Sequence, residues 1–331
     1  MKVLLTGAFG NIGESTLLAL FEKDHEITCL DIKTSKNEKK AEKLSKLEKF
    51  SVIWGDITNP DEVNNAVIGI ECILHVAGII PPTSESNPDL TQKVNVEGTK
   101  NLINAAENID PKPKFVFTSS ISVHGPRMTS PPPRKADEIL NPTDCYTHTK
   151  VACEESLKES DLPWTILRLA ASPPLKVMSL GSKELDVLYA TPLDQRVEFV
   201  HTRDVGVALA NTVTVDTRHK ILLIGGGKQC QMLGREFFQK TLEAYGIGIL
   251  SDLAFKIPKE NKDWYYTDWM DTTAAQNLLQ FQKTSFDEYI TQLKKQVGRK
   301  RYFFKLLSPI IRWYLKRKSP YYKQNKQNSQ N

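Results

Sequence analysis

Tyr146 and Lys150 stand four residues apart in CYTHTKVACEE, a segment that could form a helix. On a helix, residues i and i+4 share one face, so a phenol and an ammonium are brought together. A free phenol titrates at about 10, and exchanging its proton at neutral pH requires the phenolate to be stabilised by roughly 3 to 4 kcal/mol. An ammonium about 4 Å away, at an effective dielectric of about 20, contributes about 4 kcal/mol before desolvation is subtracted. By that arithmetic one lysine is enough, and the pair reads as a proton carrier with its activating cation. The pattern is common by chance, so its meaning depends on what surrounds it.

A cofactor site is written near the start of the chain. VLLTGAFGNIGEST places Gly7, Gly10 and Gly13 between an apolar run and a helical pattern. Bare glycines there permit the turn, let a pyrophosphate approach the backbone and let helix pack on strand, while the helix N-terminus favours the phosphate charge. The spacing is G-x-x-G-x-x-G rather than G-x-G-x-x-G, and a glycine turn without a ligand is the plain alternative. Asp31 ends the second apolar run, eighteen residues after Gly13, near the ~20 expected of an acid that accepts ribose hydroxyls. A carboxylate there repels a 2′-phosphate and favours NAD over NADP, with Lys33 nearby pulling the other way. Asp56, in WGDIT, could meet the adenine or cap the helix that follows. Small residues at Val76, Ala77 and Gly78 would let the cofactor lie against the backbone.

Short apolar runs alternate with helical patterns through the first half: KVLLTG, EITCLDI, FSVIWGD, ECILHVAG, KFVFTSS and PWTILRL. They are continuous rather than alternating, as expected of strands covered on both faces. Between them lie NIGESTLLALFEK, PDEVNNAVIG, PDLTQKVNVEGTKNLINAAEN and CYTHTKVACEESLKES, each with apolar residues at helical spacing. The alternation predicts an α/β protein with a Rossmann-type doubly wound parallel sheet over residues 1–168. Residues 169–298 are less regular, with RVEFVHTRDVGVALANTV, KILLIGGG and LGREFFQKTLEAYG as strand and helix segments. They are expected to form mainly a smaller C-terminal substrate lobe with elements returning to the core. IGGGKQ lacks the Ser or Thr of a P-loop and reads as a turn.

As a set, T-G-x-x-G-x-x-G, the acid after the second run, GDIT, HVAG, NVEGT, FTSS and Y-x-x-x-K resemble the extended short-chain dehydrogenase/reductases, the NAD-dependent epimerase/dehydratase family. The likeness covers roughly residues 1 to 220. It implies an NAD-dependent enzyme in which Tyr146 takes a proton from a secondary alcohol while NAD takes the hydride. Lys150 would also bind the nicotinamide ribose. Ser120 would hold the reacting oxygen, with Ser119 and Ser122 as other candidates, and Asn95 would steady the site, although it could equally be a satisfied core amide. Phe9, Asn11, Ile12, Ile57 and Thr118 complete the implied cofactor contacts, alongside Asn95, Tyr146 and Lys150. Family members acting on nucleotide sugars carry R-P-x-N after the sixth strand; RLAASPP keeps Arg168 but has Ala171 in the asparagine's place. GIIPP with NPDLTQKVNVEGT looks more like the branch containing 3β-hydroxysteroid dehydrogenases. A non-catalytic dinucleotide-binding relative would be expected to lose the tyrosine or the lysine, and both are present. The resemblance also implies a homodimer.

Composition limits the remaining classes. Five scattered cysteines and six histidines show neither disulfide nor zinc-ligand spacing, so no metal is expected. There is no run of ~18 apolar residues, and MKVLLTG enters a strand-like run without signal-peptide features, so a cytoplasmic protein is expected. The net charge of +5 is uneven: Arg299 to Asn331 holds ten Lys or Arg and no acid, leaving −5 on the rest. A basic patch confined to one end argues against a nucleic-acid enzyme and for local docking. That tail, 299–331, mixes aromatic and aliphatic residues with cations, with Pro309 dividing it. It suits either peripheral membrane contact or packing on the protein's own second lobe. From Gln324 onward its polar composition predicts disorder.

Overall fold

The computed structural model describes residues 1–174 and 184–329. Its strands are β1 (Lys2–Thr6), β2 (Glu26–Asp31), β3 (Ser51–Trp54), β4 (Cys72–His75), β5 (Lys114–Ser120), β6 (Trp164–Leu169), β7 (Arg196–Glu198), β8 (Lys220–Ile224) and β9 (Gln231–Leu233). Seven of them form a parallel sheet in the order β3-β2-β1-β4-β5-β6-β8. Chain progression reverses between β1 and β4, and a crevice opens there at the carboxyl edge. The register sets that edge: Thr6 lies beside Leu30 and His75, and His75 lies beside Phe117. The residues that follow these positions therefore emerge side by side.

Both faces of the sheet are covered, which is why its strands read as unbroken apolar runs. Helices Asn11–Phe21, Thr202–Thr212 and Thr273–Leu279 contribute Leu17, Leu209 and Leu279 to one core layer. Helices Pro60–Ala66, Gly98–Glu107 and Cys145–Glu159 contribute Val63, Leu102 and Leu157 to the other. His75 is sealed in the centre, its ring nitrogens meeting the hydroxyls of Thr6 at 2.7 Å and Thr99 at 2.9 Å. Burial, with the Lys150 charge adding to it, holds its pKa down at about 3, so the ring is neutral and structural.

A separate apolar cluster forms the C-terminal lobe, from Leu188 and Tyr189 through Phe238, Leu242 and Phe255 to Phe286 and Leu293. The antiparallel pair β7–β9 belongs to this part, whereas the Thr202–Thr212 helix and β8 return to the core. The tail joins the lobe. Leu315 is fully buried in its cluster, Tyr189 donates its hydroxyl to the Leu315 carbonyl at 2.8 Å, and Ser319 donates to Ala254 O at 2.6 Å. The expectation of disorder after Gln324 fails at Tyr322–Asn328, which is a helix. Asn325 is buried there and donates its amide to the carbonyls of Leu253 and Phe255 at 3.0 and 2.9 Å. Carbonyls withdrawn from water need donors, and a polar segment supplied them. No helix among the described residues is long and apolar enough to cross a membrane.

Candidate active site

The helix Cys145–Glu159 begins in a capping box: Asp144 accepts the Thr147 N–H at 2.8 Å, and Thr147 Oγ1 accepts the Asp144 N–H at 3.1 Å. Glu85, from a short helix after β4, accepts the N–H groups of Cys145 and Tyr146 at 3.2 and 3.1 Å. Two carboxylates at a helix N-terminus also complement its dipole. The turn that carries Tyr146 is thus held from both sides.

Ser120, at the end of β5, hydrogen-bonds the Tyr146 phenol. Its own oxygen accepts Ser122 Oγ at 2.7 Å and the Ser122 N–H at 3.3 Å. Of the three candidate serines, Ser120 meets the tyrosine and Ser122 orients it. Ser119, one residue earlier on the strand, is buried beside Arg168 in the register, because successive strand side chains alternate faces.

Lys150 is buried beneath the tyrosine. Its Nζ donates to the Thr118 carbonyl at 2.8 Å, and lies 4.7 Å from the centre of the Phe117 ring and 5.7 Å from that of Tyr146. Burial pushes the Tyr146 phenol well above its usual range, with the Ser120 hydrogen bond opposing the shift, and burial pushes Lys150 down. This corrects the expectation that one lysine is enough. The ammonium lies over the phenol ring, and both groups lose hydration. The chain alone therefore holds a neutral phenol.

Asn95 lies in a π-helical turn, Gln92–Glu97, between two helical segments; such turns frequently sit at functional sites. Its Oδ1 accepts the Ile79 N–H at 2.7 Å, and its Nδ2 donates to Ile79 O at 3.0 Å and Thr149 Oγ1 at 3.1 Å. One buried amide thus clamps the strap after β4 to the tyrosine helix, so it is both satisfied and site-positioning. Asn95→Leu should destabilise the protein by about 1–3 kcal/mol by stranding these partners, measured by urea unfolding.

The glycine turn faces this group. Gly7 has φ +66°, and a Cβ there would lie 2.7 Å from Ala77 Cα. A Cβ on Gly13 would overlap the Gly7 carbonyl. Gly10 caps the Asn11–Phe21 helix without a side-chain bond, so its first N–H groups remain for a ligand. Asn11 donates its amide to Ser172 O at 3.1 Å, and Ile12 is half-buried against the core. Phe9 has its ring buried 5.5 Å from that of Trp54, which leaves its backbone toward the turn. Its N–H donates to Asp31 Oδ2 at 2.9 Å, while Asp31 Oδ1 accepts from Ile32 N and Asn37 Nδ2. Burial pushes the Asp31 carboxyl up, and these backbone bonds and Lys40 oppose it.

Other predicted positions divide. Val76 and Ala77 both donate their N–H groups to Thr6 Oγ1 at 3.2 Å, which folds the strap so that Gly78 sits exposed, with Asn95 and Lys150 beside the place a Cβ would occupy. Asp56 is exposed and accepts the Thr58 N–H, while Asn59 caps the following helix; the capping alternative for Asp56 is therefore displaced. Ile57 turns its side chain into the core against Gly98. Thr118 supplies its carbonyl to Lys150 and its hydroxyl to His75 O. His124 is buried with Nε2 accepting from Arg168 at 3.0 Å, so it braces the core. Sequence reasoning missed Thr6 and Glu85. The first was visible only as part of T-G, and the second had no local signal.

These positions fit a dinucleotide: a side-chain-free helix start, a carboxylate at the end of β2, and a tyrosine, serine and lysine across the crevice. The description "3-beta hydroxysteroid dehydrogenase/isomerase family" matches residues 4–165, just under half of the chain. A 3-beta-hydroxysteroid dehydrogenase of Mycolicibacterium neoaurum is 36% identical over 163 residues, covering 46% of this chain and 42% of that protein. The chain spans less than half the length of the first curated relatives it matches. A UDP-glucuronic acid 4-epimerase of Bacillus cereus, solved with NAD, superposes with a TM-score of 0.73 at 21% identity over 90% of this chain and 99% of that one. The dTDP-glucose 4,6-dehydratase DesIV of Streptomyces venezuelae, also solved with NAD, gives 0.74 at 19% over 93% and 100%. Identities this low establish the shared fold alone. The first half of the chain is thus similar to the 3-beta hydroxysteroid dehydrogenase/isomerase family, and the chain shares its fold with these NAD-bound enzymes.

Proposed function

We propose that the protein is an NAD-dependent oxidoreductase acting at a secondary alcohol or ketone, with Tyr146 as proton carrier, Ser120 holding the reacting oxygen and Lys150 beneath the phenol. The observation that carries this reading is the Ser120–Tyr146 hydrogen bond with Lys150 packed under the ring, opposite the open helix start at Gly10. When bound, the dinucleotide supplies the hydride acceptor or donor and, when oxidised, a positive charge. Lys150 and the exposed backbone at Gly78 would hold its nicotinamide half, and the helix start at Asn11 to Gly13 its pyrophosphate. Asp31 would take the adenosine ribose.

In the direction of reduction, the neutral phenol that burial enforces is the form required: Tyr146 donates its proton to the oxygen that Ser120 holds. In the direction of oxidation the same oxygen returns that proton to the phenolate. Lys150 and the charge of the oxidised cofactor would together offset the burial that the lysine alone does not. Asp31 accepts two backbone N–H groups in the turn, so Asp31→Ala removes both a cofactor contact and a brace. Its Kd for NAD should rise about 10- to 100-fold, as for a lost charge-assisted hydrogen bond, and its preference over NADP should shrink, read by fluorescence titration.

The relatives matched in the first half act on hydroxysteroids by name, and Ala171 removes the polar residue expected for a sugar nucleotide. Tyr265 and Tyr266 of the lobe stack at 4.1 Å and feel the Asp144 charge, which places aromatic surface near the start of the tyrosine helix. These features favour an apolar alcohol. A screen with NAD and hydroxysteroids, read at the reduced nicotinamide absorbance band, should show net reduction of the cofactor. No redox signal, with isomerisation of a nucleotide sugar instead, would replace this reading by an epimerase.

A further inference from the structure

We propose that the outer face of the C-terminal tail is a docking surface for an anionic lipid bilayer, one that leaves the tail folded on its own lobe. The helices Lys300–Leu306 and Ser308–Lys318 carry two apolar stripes. Phe304, Ile311 and Leu315 face inward and pack on the lobe. Tyr302, Phe303, Leu306, Ile310, Trp313 and Tyr314 are each 42–78% exposed. Phe303, Leu306, Ile310 and Trp313 follow one another at three- and four-residue steps from one helix into the next, with Tyr302 and Tyr314 beside them, so they form one outward stripe. Inward packing thus accounts for one set of the tail's apolar residues and leaves the other exposed.

Charge selects the occupant. Arg299 to Asn331 carries ten cations and no acid. Several cations flank the outer aromatics directly: the Arg317 guanidinium lies 4.1 Å from the Trp313 ring centre, Lys318 Nζ 5.6 Å from Tyr314, and Arg301 5.6 Å from Tyr302. Aromatic and aliphatic side chains bordered by cations match the boundary between acyl chains and anionic headgroups. A symmetric contact with a second copy would set this basic stripe against itself. Neither helix is long enough to span, so the contact is peripheral, and its success or failure is independent of the redox chemistry.

Removing the tail would uncover the pocket that holds Leu315, so the test uses substitutions on the outer stripe alone. One variant combines Phe303→Ser, Leu306→Ser, Ile310→Ser and Trp313→Ser; a second combines Arg312→Glu, Arg317→Glu and Lys318→Glu. Because these side chains are exposed, the unfolding midpoint should stay at the wild-type value. Full-length protein should co-sediment with phosphatidylcholine vesicles containing phosphatidylserine, at least tenfold more than with phosphatidylcholine alone, and be released by high salt. Both variants should lose at least tenfold in bound fraction. The proposal is overturned if the wild type stays in the supernatant or if the variants pellet equally. It is also overturned if light scattering shows a lipid-free dimer that the serine variant dissociates, since the stripe would then belong to a second copy.

Discussion

Tyr146→Phe should lower turnover by about 10²- to 10⁴-fold, the usual contribution of a positioned acid or base, while the Kd for NAD stays close to wild type. The substitution removes one oxygen and its hydrogen bond to Ser120 but keeps the ring against which Lys150 lies at 5.7 Å. Lys150 keeps its bond to Thr118 O, so the cofactor side is undisturbed. The sign of the pH dependence follows from burial. Because the phenol is held above its usual range, its proton is present throughout the neutral region. Reduction should therefore be flat with pH there, and oxidation should climb with rising pH until the cofactor-bound phenol ionises. In the phenylalanine variant that climb should vanish along with the rate.

Arg168→Leu should destabilise the fold by about 3–5 kcal/mol, the usual result of leaving one member of a buried ion pair alone. Arg168 and Glu154 are almost wholly buried, and the guanidinium donates Nε and Nη2 to the two carboxylate oxygens at 2.9 and 2.6 Å. Its Nη1 serves the Ala136 carbonyl and His124. The pair joins β6 to the helix that carries Tyr146, so its loss should also loosen the site. Burial would raise the Glu154 carboxyl; the Arg168 bonds override it and hold it below its ordinary 4.5. A depressed carboxyl gives stability that is complete above that ordinary value and fades as pH falls through the lowered one. Wild type and variant should accordingly differ most at neutral pH and converge in strong acid. Changing Glu154 to Leu as well should recover part of the loss, since a paired deletion leaves no lone charge.

The sheet was legible because its strands are buried on both faces and so must be apolar without interruption; all six runs read from the first half are strands. The glycine turn was legible because a left-handed turn and a bare helix start tolerate few residues. Less could be seen where tertiary contacts decide. The segment from Pro88 to Glu107 reads as one helix, but the structure places a π-helical turn at Asn95, where the amide bonds across to Ile79. Lys150 was found by spacing, whereas its energetic effect was misjudged, because spacing gives a shared face and not the depth of burial. The lobe was hard to read since β7 and β9 have three residues each and its cluster gathers distant segments. The tail's two readings looked exclusive in sequence, yet a pair of helices can present one apolar stripe to the lobe and another outward.

The most direct test is a crystal structure of the full-length protein soaked with NAD. The account predicts the pyrophosphate at the N–H groups of Asn11 to Gly13, Asp31 on the adenosine ribose, and Lys150 on the nicotinamide ribose. The Tyr146 hydroxyl should face the reactive ring carbon across a gap wide enough for a carbinol. A dinucleotide bound elsewhere, or a nicotinamide turned away from Tyr146 and Ser120, would contradict it.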